Sequence, residues 1–145
     1  MRASGPSGVD AAERRAIEHD CAALVMRYAN GNDAADWDLV ARLFAADGRM
    51  SRPTAPDDFI EGRDAILAAF RARPARTTRH VTSNVVIDVE SATSARGECA
   101  LVLYTAYKAP IVASFHDRFV RTSDGWRFAE RRGSLTFAAE TGAPA

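Results

Sequence analysis

The stretch that decides the fold is Ile111–Phe137, IVASFHDRFVRTSDGWRFAERRGSLTF. β-Branched and aromatic residues recur in it with a period of two, which is typical of strands. The dipeptide Asp124-Gly125 marks a tight turn and makes the two halves of the stretch antiparallel neighbours. The second half of the chain shows this pattern four times, so strands are predicted at His80–Glu90, Arg96–Tyr107, Ile111–Thr122 and Gly125–Phe137.

The first half of the chain is predicted to be helical. After Asp10, a residue type that caps helix N-termini, apolar residues recur at the spacing of one helix face, and Asn30-Gly31 predicts the helix end. A second, shorter helix is predicted to start at Asp36, and a third over Gly62–Ala72. Between the last two helices we expect a short strand around Met50 and then a loop at Pro53 and Pro56.

Three helices on one side of an antiparallel sheet predict an α+β domain, with strands long enough to curl into a half-open cone. The 145 residues, 47% hydrophobic and 26% charged, suit a single core. We expect one domain over residues 10–139. Residues 1–9 are expected to be disordered and residues 140–145 frayed, because both ends are rich in small residues, Gly and Pro.

The composition points to a small-molecule partner. Nineteen basic and nineteen acidic residues cancel, which leaves no electrostatic footprint for nucleic acid or an anionic membrane. No apolar run approaches the roughly 20 residues of a membrane span, and no signal-like segment is seen. Cys21 and Cys99 are predicted to be buried thiols in a reducing cytoplasm.

No metal or cofactor is expected. The three histidines His19, His80 and His116 lack the close spacing of a zinc or iron site. Glycine motifs that cradle nucleotide phosphates are missing from the sequence, as is the Gly-x-Ser-x-Gly motif of covalent hydrolases.

The strongest candidates for catalysis are Asp33, which follows the first helix, and His80, which opens the first long strand. Imidazole is the side chain whose unperturbed pKa suits a general base near neutral pH. A carboxylate on the neighbouring element can orient the ring and stabilise its charged form. On a regular strand Asn84 and Thr82 share the face of His80 and could bind a developing oxyanion, unless a bulge intervenes.

Four ordered motifs carry a family resemblance: Tyr28–Phe44, Glu61–Ile66, Arg79–Asn84 and His116–Phe128. Together they resemble the SnoaL-like branch of the nuclear-transport-factor-2-like superfamily, over roughly Ala12–Ala138. The resemblance implies a cone-shaped α+β fold, which scytalone dehydratase, ketosteroid isomerase, polyketide cyclases and dioxygenase small subunits share. Association through the open face of the sheet, as a homodimer or homotrimer, is also implied.

Within that superfamily the chain is most similar to scytalone dehydratase and lindane dehydrochlorinase, whose site pattern Asp33, His80 and Asn84 match. The resemblance implies a cofactor-independent lyase, dehydratase or isomerase acting on a small hydrophobic ring or polyketide-like substrate. In this reading His80 takes a proton from carbon, and Asp33 holds its ring. The expected substrate-binding residues are Tyr28, Trp37, Asn84, Tyr104, His116 and Arg132.

Two alternatives stay open on the sequence alone. The chain could be a non-catalytic ligand-binding or assembly domain, like the small subunits of ring-hydroxylating dioxygenases. It could also resemble ketosteroid isomerase in using a carboxylate base on a strand, for which Asp88 is the candidate. Tyr104 and Tyr107 have opposite parity on one strand, and Tyr104 is the one expected to face inward.

Overall fold

A computed structural model describes residues 8–137 as three helices and one six-stranded sheet. The elements are α1 (Ala11–Asp33), α2 (Trp37–Arg42), β1 (Phe44–Arg52), β2 (Ala55–Glu61), α3 (Arg63–Arg71), β3 (Arg79–Val89), β4 (Ser94–Tyr104), β5 (Ile111–Thr122) and β6 (Gly125–Leu135). The strand order is β2-β1-β6-β5-β4-β3, and the sheet is not closed. The predicted α+β class with three helices is confirmed.

The sheet is mixed, whereas an antiparallel sheet was predicted. Strands β3 to β6 form an antiparallel run in sequence order, but β1 pairs with β6 in the parallel direction. The predicted loop at Pro53 and Pro56 is wrong in its second part, because β2 begins at Ala55. Proline is tolerated there since β2 is an edge strand, where a missing N–H does not interrupt the sheet.

Helix α1 begins where predicted but ends later. The Asp10 carboxylate accepts a hydrogen bond from the Glu13 backbone N–H at 2.9 Å. The helix continues through Asn30-Gly31 to Asp33. A Cβ on Gly31 would lie 2.9 Å from side-chain carbons of both Leu39 and Val40, so this glycine allows α2 to pack closely on α1 instead of ending the helix.

The core lies between the helices and one face of the sheet, and aromatic rings fill its centre. Tyr28 lies 5.6–6.3 Å, centroid to centroid and edge-on, from Phe44, Phe70, Phe115 and Phe128. This face is called the helix side below, and the opposite face, which carries His116, is called the outer face.

The ends expected to be disordered or frayed fall almost wholly outside the described residues. Of residues 1–9 only Gly8 and Val9 are described, and Val9 is buried in the core. Cys21 and Cys99 are both free and buried, as predicted. Within residues 8–137, no helix is both long and apolar enough to cross a membrane.

Candidate active site

The structure brings Asp33 and His80 into direct contact. The end of α1 presents the Asp33 carboxylate to the first residues of β3, and Oδ1 lies 2.6 Å from Nδ1 of His80. The backbone N–H of His80 also donates to this carboxylate, at 2.9 Å to Oδ2, and the Thr78 hydroxyl donates to Oδ1 at 2.9 Å. One carboxylate therefore holds both the ring and the backbone of His80.

The side chains of Asp33 and His80 are largely buried but keep some contact with solvent. The side chains of Asp33 and His80 are 8% and 14% exposed. Burial acts to raise the pKa of Asp33, but hydrogen bonds from the His80 ring, the His80 backbone and Thr78 outweigh it and lower that pKa. Because an ionised carboxylate can only accept, Nδ1 of His80 carries the proton in this contact. Nε2 makes no hydrogen bond to residues 8–137 and remains available to a ligand.

Two of the predicted substrate-binding residues lie on the helix side. Tyr28 is only 4% exposed, at the centre of the aromatic core. Trp37, at the start of α2, is half-buried and stacks on Phe70 with the ring centroids 5.3 Å apart. Tyr28 therefore has its ring in the core, and Trp37 covers the same aromatic cluster.

Asn84 does not share the face of His80. The pairing of β3 with β4 shifts between Ser83 and Val86, and Asn84 has a left-handed backbone with φ of 54°. Thr82 is half-buried with His80, whereas Asn84 is exposed. This bulge breaks the predicted alternation, so the placement of Asn84 beside the base is wrong.

Tyr104, His116 and Arg132 are also misplaced by the prediction. Tyr104 is 46% exposed, and the alternation of side chains along β4 places it on the outer face. Tyr107 is fully exposed in the loop that follows β4. His116 lies on the outer face, where Nδ1 is 3.1 Å from Glu98 Oε1 and Nε2 is 3.1 Å from Ser134 Oγ. Tyr104 and His116 therefore do not lie on the helix side.

Arg132 does not reach the helix side either. Its Nη2 donates to Asp57 at 2.8 Å and its Nε to the Pro56 carbonyl at 3.3 Å, on the outer face. A groove of about 460 Å³ lies on that face, away from Asp33 and His80, and its lining includes Asp88, Glu98, His116 and Arg132. Asp88 is thus exposed and distant from the core.

Sequence reasoning missed a buried ion pair, Asp117–Arg131, because it considered neither residue as a core residue. Arg131 is 1% exposed, and its Nε and Nη2 donate to the two carboxylate oxygens of Asp117 at 3.0 and 3.3 Å. Its guanidinium carbon lies 4.3 Å from the Tyr28 ring centroid and 4.0 Å from that of Phe115. The signal was available, because Asp117 has the same strand parity as its buried neighbours Phe115 and Phe119.

Burial raises the pKa of the Asp117 carboxyl to about 6, against the opposing attraction of Arg131. No group of three or more His, Cys, Asp or Glu side chains in residues 8–137 has the geometry to hold a metal ion.

Comparison with known proteins shows the family and the fold of the chain. The family model described as SnoaL-like domain matches residues 13–132. A Novosphingobium aromaticivorans structure named "Putative Scytalone Dehydratase" is 26% identical, with a TM-score of 0.70, covering 92% of this chain and 91% of that one. None of the curated proteins matches the chain in sequence.

Two further structures share the fold. An NTF2-like protein with a cystatin-like fold, also from Novosphingobium aromaticivorans, is 24% identical with a TM-score of 0.77 and 89% coverage of both chains. A type 2 hexachlorocyclohexane dehydrochlorinase, LinA, is 17% identical with a TM-score of 0.75, covering 91% of this chain and 96% of that one.

Proposed function

The chain belongs to the SnoaL-like domain family, and on that premise we propose that it is a cofactor-independent enzyme that removes a proton from carbon. His80 is the general base and Asp33 its positioning residue. The reaction class is lyase, with dehydration as one form, or isomerase. The observation that carries the proposal is the 2.6 Å contact between Asp33 Oδ1 and His80 Nδ1, which leaves Nε2 without a partner among residues 8–137.

The geometry supports base catalysis for a physical reason. With its proton on Nδ1, the neutral ring has its lone pair on Nε2, where it can accept a proton from a carbon acid. The imidazolium that forms lies against the Asp33 carboxylate, whose negative charge stabilises it. A positioned base of this kind contributes about 10²–10⁴-fold in rate.

The atoms of the proposed reaction balance without a further reactant. The C–H bond breaks, its proton moves to Nε2, and its electron pair forms a double bond. In an elimination the electron pair expels a leaving group on the adjacent carbon, and in an isomerisation His80 returns the proton to a different carbon. A small hydrophobic ring or polyketide-like substrate is proposed from the family resemblance and from the dehydratase name of one structural relative.

The test follows proton exchange at carbon by ¹H NMR in D₂O, with ring compounds that bear a C–H next to a carbonyl or a leaving group. We expect wild type to exchange or eliminate with at least one class, and His80→Asn and Asp33→Asn to lose about 10²-fold or more of that rate. His116→Asn is the matched control, because His116 also contacts a carboxylate but lies on the outer face. It should retain wild-type activity.

Two results would count against this proposal. Full activity in folded His80→Asn contradicts the assignment of the base. Binding of the ring compounds without exchange in any of them favours the alternative, a non-catalytic ligand-binding or assembly domain.

A further inference from the structure

The hydroxyl of Tyr28 is a hydrogen-bond donor that residues 8–137 leave unused. The residue is 4% exposed, yet its hydroxyl makes no hydrogen bond to any residue from 8 to 137. Because the one fully buried side-chain nitrogen or oxygen without a partner in residues 8–137 is Arg52 Nε, the Tyr28 hydroxyl keeps some contact with solvent. A ligand that replaces that solvent can accept a hydrogen bond from Tyr28.

Two arginines without carboxylate partners, Arg52 and Arg73, lie close enough to Tyr28 for their charges to act on it. Arg52, at the end of β1, has a buried Nε with no hydrogen-bond partner. The guanidinium carbon of Arg73, just after α3, lies 4.3 Å from the centroid of Phe70, a ring that also contacts Tyr28. Neither of them, nor Arg76, forms an ion pair within residues 8–137. We call Arg52, Arg73 and Arg76 the arginine cluster.

The charges of the cluster act on one another and on Tyr28. Burial lowers the pKa of Arg73, and the nearby charges of Arg52 and Arg76 lower it further, while Tyr28 acts in the opposite direction. Burial raises the pKa of Tyr28, although the cations Arg131, Arg73 and Arg52 oppose it. The Tyr28 hydroxyl thus keeps its proton and can donate a hydrogen bond, although three cations act on it. Asp117 neutralises Arg131, but no described carboxylate neutralises the cluster.

The position of Arg52 is fixed by the backbone. Strand β1 crosses β6 so closely that a Cβ on Gly133 would lie 2.3 Å from the nitrogen of Pro53 and 2.7 Å from the carbonyl carbon of Arg52. Arg52 is therefore held by packed strands, and the mutual repulsion of the charges in the cluster is a cost that a bound anion would relieve.

The cluster is connected to the candidate active site by two elements. Tyr28 and Asp33 are five positions apart on α1, a rise of about 7.5 Å along the helix axis. The segment that begins with Arg73 leads directly to Thr78, whose hydroxyl donates to Asp33. Tyr28 and Asp33 thus both lie in the last two turns of α1.

We propose that Tyr28, Arg52 and Arg73 form a binding site for an oxyanion, a carboxylate or a phosphate, carried by a small ring compound. The Tyr28 hydroxyl and Arg52 Nε donate to the anion, and Arg73 and Arg76 supply positive charge. That this ring compound is the substrate, with its reacting carbon toward His80, rests on the proposed function. The binding of an anion by these residues does not depend on the proposed function.

The test measures ligand binding by isothermal titration calorimetry with three probes: benzoate, phenyl phosphate and the uncharged benzamide. We expect benzoate or phenyl phosphate to bind at least about tenfold more tightly than benzamide. The anion that binds more tightly shows whether the site prefers a carboxylate or a phosphate. The same titration on His80→Asn should keep the preference for the anion over benzamide, so anion binding can be judged even if the catalytic proposal fails.

Matched variants assign the binding to the cluster. Arg52→Gln and Arg73→Gln should each weaken binding of the preferred anion about tenfold or more, and Tyr28→Phe should weaken it severalfold. Arg71→Gln, which removes the same charge two residues from Arg73, is the control, because Arg71 is exposed and pairs with Asp38. It should bind the anion as wild type does. If Arg52→Gln does not fold, Arg52→Lys, which keeps the positive charge, is titrated in its place.

Three results would overturn the proposal. One is equal affinity for benzamide and both anions, and another is no binding of any probe at about 10 mM. The third is an Arg73→Gln variant that is folded by circular dichroism and binds the preferred anion as tightly as Arg71→Gln.

Discussion

At the scale of single residues, the Asp33 carboxylate links the candidate site to stability through its three hydrogen-bond donors. Its pKa in the folded protein lies below the ordinary value of 3.8. The stabilising contribution is therefore fully present above that value and is lost as the pH falls through the lower, folded-state pKa. At neutral pH this stabilising contribution of Asp33 is fully present.

We therefore predict that the wild-type advantage over Asp33→Asn in free energy of unfolding shrinks on acidification from about pH 6 to about pH 2. Urea unfolding of both proteins across this range measures it. A difference that stays constant with pH would contradict the assignment of a depressed pKa to Asp33.

The pairing of Asp33 with His80 could be anticipated because the acid, the histidine and their order match a family pattern. Arg132 was expected near the cavity and lies on the outer face, whereas its neighbour Arg131 is buried. Adjacent strand residues point to opposite faces, so an error of one position in parity reverses the environment of a side chain. The arginine cluster could not be foreseen, because its members come from different elements.

At the scale of elements, two local features decide where side chains point. The bulge in β3 turns Asn84 away from His80, and a bulge of this kind leaves no reliable mark in a sequence of alternating residues. Gly31 resembled a helix stop but is a contact point between α1 and α2. Both cases depend on what the neighbouring element does, which local sequence patterns do not contain.

The cross-strand pair Asp117–Arg131 joins β5 to β6 in the core. Asp117→Asn leaves the guanidinium of Arg131 buried without a counter-charge, so we predict a loss of about 3–5 kcal/mol in the free energy of unfolding. Asp57→Asn is the matched control, because Asp57 pairs with Arg132 in solvent. Chemical denaturation should show less than about 1 kcal/mol for that variant. Equal effects in the two variants would argue against a structural role for the buried pair.

At the scale of the whole molecule, the fold was largely predictable. The four strands β3 to β6 follow one another in sequence and pair with their neighbours, so period and turn residues define them. The parallel pairing of β1 with β6 joins residues far apart in the chain, and no local pattern specifies it. The expected homodimer or homotrimer stays a prediction.

The central claim is that Asp33 keeps the proton of His80 on Nδ1 and so leaves Nε2 as a bare base on the helix side. Long-range ¹H–¹⁵N NMR of the labelled protein, with the ring neutral, reads the protonation of each nitrogen directly. The account predicts a protonated Nδ1 and an unprotonated Nε2 in wild type, and a loss of that preference in Asp33→Asn. A wild-type ring with its proton on Nε2 would contradict it.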